Sequence, residues 1–480
     1  MKAKMILQKA QRDPVWFVED ALNAKPWSKQ AEILESVRDH PRTAVRSCHG
    51  VGKSFTAGQV ILWFLYTFPY SIVLSTAPTW RQVEKLIWKE VRASHRRAKF
   101  PLGGNILPKS PEIQIVQDEW YAAGLSTNEP DRFQGFHEEN ILVVVDEAAG
   151  VPEDIFEAIE GVLTSGNARL LLLGNPTNTN GTFYKAFKGP GWNTISISAF
   201  DTPNFTAFGI TEEDIANETW QDKITGPLAN AKLITPEWVA DKYKRWGPDS
   251  PAYIARVKGQ FAEDGEDTLI PLSWIEAAME RWIDMEKGEP IEIGVDVARY
   301  GSDKTVIGVR YGSKIVGLQE YSKQDTMETA GRVVMAHKEH KPTDIKVDVI
   351  GLGAGVVDRL NEQNLNVTEI NVAERAKDPE NFANLRSELW WILRERLDPN
   401  PATNPDPIGL PPNDELLADL SGIKYKINSR GQIVVETKEE MKKRLGRSPD
   451  FGDAVCLLLA RGNRQDPDAM ALLAGARIYS

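Results

Sequence analysis

The sequence predicts an α/β protein with two successive α/β units, and three observations support this prediction. An apolar strand, a glycine-bearing loop and a helix follow one another at residues 43–65. An apolar run that ends in two acids follows at 141–147, and two apolar runs that each carry an aspartate come at 291–296 and 344–349. A chain of 480 residues is too long for one ordinary core, so two or three domains are expected.

The composition is that of a globular protein, with 41% hydrophobic and 26% charged residues. The most apolar stretch, residues 60–68, is too short to span a bilayer, and the first ten residues lack the apolar core of a signal peptide, so no membrane partner is expected. Cys48 and Cys456 are far apart, which argues against a disulfide scaffold. Because the net charge is −11, any DNA contact requires local basic patches.

The first unit is organised around the loop at residues 46–54, RSCHGVGKS. A strand before such a loop and a helix after it direct several backbone N–H groups at one anion. Lys53 is expected to reach the β- and γ-phosphates of ATP, and the Ser54 hydroxyl to ligate Mg²⁺. The match to G-x-x-x-x-G-K-[ST] is imperfect because Ser47 takes the place of the first glycine, and a chance Gly-Lys-Ser turn is the alternative. The predicted ligands of ATP in this loop are Ser47, Gly50, Gly52, Lys53 and Ser54.

The run ILVVVDE at residues 141–147 fits a central parallel strand that is buried on both faces. Its acids then lie beside the phosphate loop, because ligands bind at the carboxyl ends of such strands. Asp146 is predicted to hold Mg²⁺ and Glu147 to polarise the attacking water. Asn175 ends a further apolar run and is predicted to sense the γ-phosphate. Together these motifs indicate ATP hydrolysis.

Two further nucleotide contacts remain open at this stage. Gln30 lies in an aromatic-Ser-Lys-Gln element upstream of the loop, and its amide is suited to the adenine edge, although a surface glutamine is the alternative. An arginine is expected to stabilise the transferred phosphate. Arg46 is the candidate within the same chain, and Arg132 is the candidate that reaches a neighbouring subunit.

The second half of the chain shows a different order of elements. A strand that carries Asp296 is followed by two more strands, a helix and a strand that carries Asp348. Much later, Ser448 as N-cap and the following proline predict a helix start, with Asp450 and Asp453 on one face of that helix.

This order is the arrangement of RNase H-like nucleases, which gather carboxylates from two adjacent strands and one helix around two divalent metals. Acids within apolar strands are costly unless they are paired or metal-bound. Oxygen-only ligands favour Mg²⁺ or Mn²⁺. The predicted metal ligands are Asp296, Asp348, Asp450 and Asp453.

The domain prediction follows from these patterns. A P-loop ATPase domain of the ASCE type is expected at 1–200, a helical lid or linker at 201–264 and a connector at 265–289. An RNase H-like nuclease domain is expected at 290–462, and a flexible tail at 463–480.

An ATPase followed by an RNase H-like nuclease in one chain resembles the large terminase subunit of tailed bacteriophages. The resemblance spans residues 13–461, and terminases often have a phosphate loop that lacks the first glycine and carries a basic residue. The segments that carry it are WSKQ at 27–30, the loop at 46–54, TAPT at 76–79, VDEA at 145–148, GNP at 174–176, DVA at 296–298, Asp348 and PDFGDA at 449–454.

The resemblance implies a motor that pumps double-stranded DNA into a procapsid with ATP and cuts the concatemeric genome. It implies a portal protein and a small terminase subunit as partners, and a homo-oligomeric ring on the portal, with a monomer expected in isolation. It also implies a place in the cytoplasm of the infected host and transiently on the procapsid, but not in the mature virion. In the family the third catalytic acid comes from the C-terminal helix; Asp453 is favoured here and Asp450 is kept.

Two other functions remain as alternatives. A helicase-nuclease of DNA repair or defence shares the phosphate loop and the acids, but it requires a second motor domain. An ATP-gated DNA-binding scaffold with an inactive nuclease is the non-catalytic alternative.

Overall fold

The structure, a computed structural model, describes residues 2–107, 110–127, 133, 135–262, 267–298, 304–322 and 324–460. The chain divides into two compact units, unit 1 at residues 1–263 and unit 2 at residues 264–480. None of the helices in these described ranges is long and apolar enough to cross a membrane. Both cysteines are free and buried.

Unit 1 contains an eight-stranded sheet within its described residues. Its strands are β1 (Arg42–Ser47), β2 (Ser71–Thr76), β3 (Asn105–Ile106), β4 (Glu112–Val116), β5 (Trp120–Gly124), β6 (Asn140–Val145), β7 (Asn167–Gly174) and β8 (Asn193–Ile197). The order is β3-β4-β5-β2-β6-β7-β1-β8. The strands from β5 to β8 in this order are parallel, and β3 and β4 form an antiparallel edge.

Strand β7 therefore lies between β1, which precedes the phosphate loop, and β6, which carries the acidic pair at its end. This insertion is the hallmark of ASCE-type P-loop sheets and confirms the predicted fold of the first unit. Val143, Val144 and Val145 of β6 are fully buried, as expected for a strand covered on both faces.

The helices of unit 1 pack around this sheet. They are α1 (Lys2–Arg12), α2 (Pro14–Asp20), α3 (Ser28–Asp39), α4 (Lys53–Thr67), α5 (Trp80–Gln82), α6 (Trp88–Arg97), α7 (Glu153–Val162), α8 (Gly181–Ala186), α9 (Pro203–Thr206), α10 (Glu212–Ala216), α11 (Trp220–Lys223), α12 (Pro236–Trp246) and α13 (Pro251–Arg256). A π-helical turn, Val83–Ile87, joins α5 to α6. The α4 helix is buried over most of its length because α1, α2, α3 and α6 pack against it, as do strands of the sheet.

Unit 2 is built on a second sheet. Its strands are β9 (Ile291–Asp296), β10 (Thr305–Tyr311), β11 (Lys314–Tyr321), β12 (Asp344–Asp348) and β13 (Val367–Ile370), and β14 (Tyr425–Ile427) and β15 (Ile433–Val435) form a separate hairpin. The main sheet has the order β11-β10-β9-β12-β13. The first three strands are antiparallel, and β12 and β13 continue parallel to β9.

The helices of unit 2 are α14 (Leu272–Asp284), α15 (Thr326–His340), α16 (Gly353–Asn361), α17 (Leu385–Leu397), α18 (Asp414–Gly422), α19 (Lys438–Leu445) and α20 (Asp450–Leu459). Three antiparallel strands, a helix and a parallel strand form the RNase H-like arrangement, which confirms the predicted fold class of the second unit. Side chains of β9, β10 and β12 build a core with α15 and α16 on one face of the sheet.

The α20 helix packs on the opposite face of this sheet, on β9 and β10. Two glycines allow its close approach. A Cβ on Gly294 would lie 2.8 Å from the carbonyl oxygen of Ala454, and a Cβ on Gly308 would lie 3.1 Å from Leu458 Cδ1. The sheet thus presents no side chain at these two positions, where the helix rests on it.

We expect Gly294→Ala to destabilise unit 2, because the added methyl meets the backbone of α20 and not a side chain that can rotate away. Such overpacking costs about 1–3 kcal/mol. The matched control is Gly317→Ala on β11, where an added Cβ has no atom within 4 Å. Calorimetric unfolding should show a lower unfolding temperature for Gly294→Ala alone; equal temperatures for the two variants would contradict this packing.

Candidate functional sites

The phosphate loop of unit 1 is held by backbone hydrogen bonds from other parts of the unit. The Cys48 N–H donates to Ile197 O at 2.8 Å, and the His49 N–H donates to Arg256 O at 2.9 Å. The carbonyl of Gly50 accepts from the Ile234 N–H at 2.9 Å. Two of these three bonds come from the helical region after β8, so the loop conformation depends on residues that lie far along the chain.

Glycine is needed at two places in this loop. Gly50 and Gly52 have φ values of +65° and +84°, in the left-handed region that side chains disfavour. Gly52 immediately precedes the first turn of α4, where free N–H groups and the helix dipole favour an anion. The loop therefore has the backbone required to bind phosphate.

Five predicted side chains meet at the carboxyl ends of β1, β7 and β6. Lys53 Nζ donates to Asn175 Oδ1 at 2.9 Å and lies 3.5 Å from Glu147 Oε1. Ser54 Oγ donates to Asp146 Oδ2 at 2.7 Å. The lysine of the loop is thus in direct contact with the side chains after the other two strands.

Asn175 links two of these elements. Its amide nitrogen donates to the carbonyl of Ser47 at 2.7 Å while its oxygen accepts from Lys53. Ser47 itself is fully buried and donates to Cys48 O, so it contributes to this site through its backbone carbonyl.

The two acids after β6 differ in their environment. Burial, with a further contribution from the Glu147 charge, raises the pKa of Asp146 to about 6, although Lys53 and the Ser54 hydroxyl oppose the shift. Glu147 has φ +49°, which is strained for a residue with a side chain. Such strain is common where a side chain must be directed at a reacting group.

Gln30 and the two arginines are placed as follows. The Gln30 amide donates to Val51 O at 3.3 Å and its oxygen accepts from the Trp27 N–H at 3.3 Å, so this side chain supports the phosphate loop. Arg46 donates to Ser196 Oγ at 2.8 Å, and its guanidinium lies over Phe187 and Phe261. Arg132 lies outside the described residues. Adenine recognition by Gln30 and a role of either arginine in hydrolysis stay predictions.

Unit 2 brings its predicted acids together from three elements. Asp296 ends β9, Asp348 ends the adjacent β12, and Asp450 and Asp453 lie in the first turn of α20. The side chains of all four aspartates are buried.

A lysine that the sequence did not single out lies among these acids. Lys438 Nζ, from α19, is 2.9 and 3.0 Å from the two carboxylate oxygens of Asp296 and 3.2 Å from Asp453 Oδ2. Burial alone would lower the pKa of Lys438, but the charges of Asp296 and Asp453 outweigh it and raise the pKa. The ammonium is a single cation on which carboxylates from β9 and α20 converge.

Asp453 is oriented by two further buried side chains. Its Oδ1 accepts from the Trp390 Nε1–H at 2.9 Å and from the Arg386 guanidinium. Burial by itself would raise the pKa of Asp453, but Arg386, then Lys438 and then Trp390 together lower it. No sequence motif marks Arg386 or Trp390, because each acts from α17, more than 60 residues before its partner.

The other two acids are held by backbone groups. Asp348 Oδ1 accepts from the Ile350 N–H at 3.0 Å, and Asp450 Oδ2 accepts from the Lys304 N–H at 2.9 Å. Burial raises the pKa of both carboxyls.

The predicted cap of the last helix was wrong. The α20 helix begins at Asp450, so Ser448 precedes the N-cap position, which Pro449 occupies without a side-chain hydrogen bond.

The acid set fits divalent metal ions in the chemistry of its donors. All four side chains offer oxygen, which Mg²⁺ and Mn²⁺ prefer. Asp453 Oδ2 is buried and makes no hydrogen bond of regular geometry within the described residues, but it lies 3.2 Å from the Lys438 ammonium. In the described part of the chain, no three His, Cys, Asp or Glu side chains lie close enough together to hold a metal ion, and the Lys438 ammonium lies between Asp296 and Asp453.

A known phage protein is similar to this sequence over most of the chain. The sequence is 28% identical to a "Probable terminase, large subunit" of Enterobacteria phage P7, over 466 residues that cover 90% of this chain and 88% of that protein. No family model matches the sequence. The resemblance to large terminase subunits that the motifs predict is thereby confirmed.

Solved structures of terminases are also similar. The large terminase of a thermophilic bacteriophage is 12% identical, with coverage of 94% of this chain and 98% of its own, and has a TM-score of 0.37. The ATPase domain of the Thermus phage P74-26 large terminase is 18% identical, with 52% and 99% coverage and a TM-score of 0.38. The nuclease domain of the bacterial virus Sf6 large terminase is 23% identical, with 40% and 99% coverage and a TM-score of 0.36. Because these scores are low, the functional conclusion depends on the sequence relative and on the two sites.

We expect Asp296 to make the metal-free protein less stable as the pH rises. Burial raises the pKa of Asp296 to about 7 from 3.8, despite the opposing charge of Lys438, so the native state binds this proton more tightly than the unfolded chain does. The stability contributed by this proton is present at pH 4 and is lost as the pH rises to about 7.

The test is the unfolding of wild type and Asp296→Asn in a chelating buffer between pH 4 and pH 8. Wild type should lose at least about 1.4 kcal/mol more than the variant over this range, the equivalent of one pKa unit. Asp406→Asn, at a carboxylate whose side chain is 60% exposed, is the control and should follow wild type. Parallel curves for wild type and Asp296→Asn would show that burial of Asp296 costs nothing.

Proposed function

We propose that this chain is the large subunit of a phage terminase, which couples ATP hydrolysis to the translocation of double-stranded DNA and cuts that DNA with a metal-dependent nuclease. The observation that carries the proposal is the convergence of Asp296, Asp348, Asp450 and Asp453 in the unit that follows an ASCE-type ATPase unit. The sequence similarity to the phage P7 protein extends over both units, because it covers 90% of this chain.

In the ATPase unit, the loop N–H groups and Lys53 bind the phosphates of ATP. Ser54 and Asp146, which are hydrogen-bonded to each other, are the residues that would hold Mg²⁺. The ion, when bound, neutralises charge on the β- and γ-phosphates. Glu147 orients the attacking water, and Asn175, between Lys53 and the Ser47 carbonyl, responds to the presence of the γ-phosphate.

In the nuclease unit, Asp296 and Asp348 would hold Mg²⁺ or Mn²⁺ together with the acids of α20. Two such ions, when bound, activate water and stabilise the leaving oxygen of a phosphodiester. Arg386 and Trp390 hold Asp453 in a fixed orientation. Their hold on Oδ1 leaves Oδ2 directed at the centre, which favours Asp453 as a ligand; Asp450 remains the second acid of the helix.

The partners follow from this function. The DNA substrate is the viral genome, and a ring of subunits on the portal together with a small terminase subunit completes the motor. In that ring Arg132 is the candidate to act on a neighbouring subunit and Arg46 within its own. The protein works in the cytoplasm of the infected host and on the procapsid.

The helicase-nuclease alternative is disfavoured, because the described residues from 203 to 284 form α9–α14 and contain no second motor sheet.

The two sites should be separable by single substitutions. Lys53→Ala should abolish ATP hydrolysis while the purified protein still cuts plasmid DNA with Mn²⁺, because Lys53 contacts Glu147 and Asn175 of unit 1 and the nuclease acids lie in unit 2. Asp296→Ala should lower cutting by at least about a thousandfold, on the order of 4 kcal/mol of transition-state stabilisation, and leave ATP hydrolysis unchanged. Plasmid cleavage by Asp296→Ala at the wild-type rate would exclude the nuclease assignment.

Lys438 should compete with metal ions for the acids. Lys438→Met removes the cation that contacts Asp296 and Asp453, so Mn²⁺ no longer has to displace it. An interaction between charges about 3 Å apart exceeds about 1.4 kcal/mol at intermediate dielectric, so binding should tighten about tenfold or more. Mn²⁺ titration followed by electron paramagnetic resonance measures this, with the exposed Lys443→Met on the same helix as control. Weaker Mn²⁺ binding by Lys438→Met would instead make this lysine a supporting residue.

A further inference from the structure

The helix that carries two of the nuclease acids is capped by a side chain from another helix. The N–H groups of Phe451 and Gly452, in the first turn of α20, donate to Asp419 Oδ2 at 3.0 and 3.1 Å. Asp419 lies in α18, 32 residues before Phe451, and is fully buried. The N-cap residue Pro449 has no side-chain acceptor, so Asp419 supplies the cap in its place.

The other end of α20 is held by a charge of the opposite sign. Lys346 Nζ donates to the carbonyl of Leu458 at 3.1 Å and lies 2.9 Å from Glu292 Oε2. Lys346 is 1% exposed and stands on β12, two residues before Asp348. Because side chains alternate along a strand, Lys346 and Asp348 point to the same face of the sheet.

Both charges match the helix to which they bind. A helix N-terminus favours an anion and its C-terminus a cation, and each free N–H or C=O group there needs a partner. Burying Asp419 and Lys346 is costly, and apolar residues of similar size would fill the same space. Each is compensated by a second ion, Arg447 for Asp419 and Glu292 for Lys346.

The fixed position of α20 matters for the acids on it. A rotation of the helix by one residue turns its side chains by about 100° and advances them by about 1.5 Å. Asp450 and Asp453 lie in the same turn as the N–H groups that Asp419 binds. The acids on the strands, by contrast, are set by the register between β9 and β12. The geometry of the whole acid set therefore depends on how α20 is seated on the sheet.

We propose that Asp419 and Lys346 are positioning residues of the metal centre, which fix α20 on the sheet and so bring Asp450 and Asp453 into reach of the metals held by Asp296 and Asp348. This proposal rests on the proposed nuclease function of unit 2. On this proposal, Asp419 and Lys346 raise the affinity of the centre for metal ions. If the two residues contributed only to fold stability, their substitution would leave the metal affinity of the folded protein unchanged.

The test is Mn²⁺ binding to the full chain, followed by electron paramagnetic resonance without DNA or nucleotide. Mn²⁺ binding at the nuclease centre is identified as the portion of the bound Mn²⁺ that is lost in Asp296→Ala. Asp419→Asn places an NH₂ group against the donors of Arg447 or α20 while keeping the size of the side chain. Residues that orient metal ligands typically contribute about 10- to 100-fold to metal affinity, so this variant should bind Mn²⁺ about tenfold more weakly or worse.

The control is Asp406→Asn, a carboxylate of the same unit that pairs with Arg396 and Ser313. It should bind Mn²⁺ as wild type does. Cleavage by Asp419→Asn should require more Mn²⁺ for half-maximal rate and should recover toward the wild-type rate at saturating Mn²⁺, whereas a loss of folded protein lowers the rate equally at every Mn²⁺ concentration.

Lys346→Met is the second variant, and it decides the question if Asp419→Asn does not fold. It removes the donor to Leu458, and Glu292 keeps its ion pair with Arg310, so the charge left behind stays compensated. Weaker Mn²⁺ binding by this folded variant supports the proposal. Wild-type Mn²⁺ affinity in either folded variant overturns it. If wild type and Asp296→Ala bind Mn²⁺ equally, the nuclease function itself fails, which is a distinct outcome.

Discussion

In both units, acidic side chains lie close together at the carboxyl ends of parallel strands, and a lysine ammonium lies against them. Lys53 contacts Glu147 and the asparagine beside it in unit 1, and Lys438 contacts Asp296 and Asp453 in unit 2. Buried like charges repel and lose their hydration, so such groups persist only where cations compensate them. Burial disfavours the charged form of Asp146 and of Asp296, and it therefore raises the pKa of each.

The rest of each fold keeps these groups at contact distance. In unit 1, β7 separates the loop strand from the acidic strand, so Asn175 lies between Ser47 and Lys53 and connects them. In unit 2, adjacent parallel strands set the two strand acids, and the glycines of β9 and β10 let α20 approach until its backbone touches the sheet. The buried ions at both ends of α20 then complete the arrangement.

The helical region after β8 has a part in the ATPase site that its weak sequence pattern does not indicate. Its backbone binds the phosphate loop at His49 and Gly50. These contacts lie just before the start of α12 and at the end of α13. Because these hydrogen bonds join main-chain atoms, they do not require particular residue types, and the sequence does not predict them.

Much of both sites was predictable because some residue types rarely occupy such positions for structural reasons alone. The glycines of the phosphate loop, the acids at the ends of apolar strands and their order along the chain predicted the two fold classes, and they predicted the acids that the structure places near one another. The cap of α20 and the contacts of Gln30, Lys438, Arg386 and Asp419 were decided only by the tertiary structure. A lysine on a polar helix or an aspartate inside a helix has the same local sequence whether it faces solvent or a buried carboxylate. Periodicity reports which face of an element is apolar, whereas the partner of a buried charge depends on how elements distant in sequence pack together.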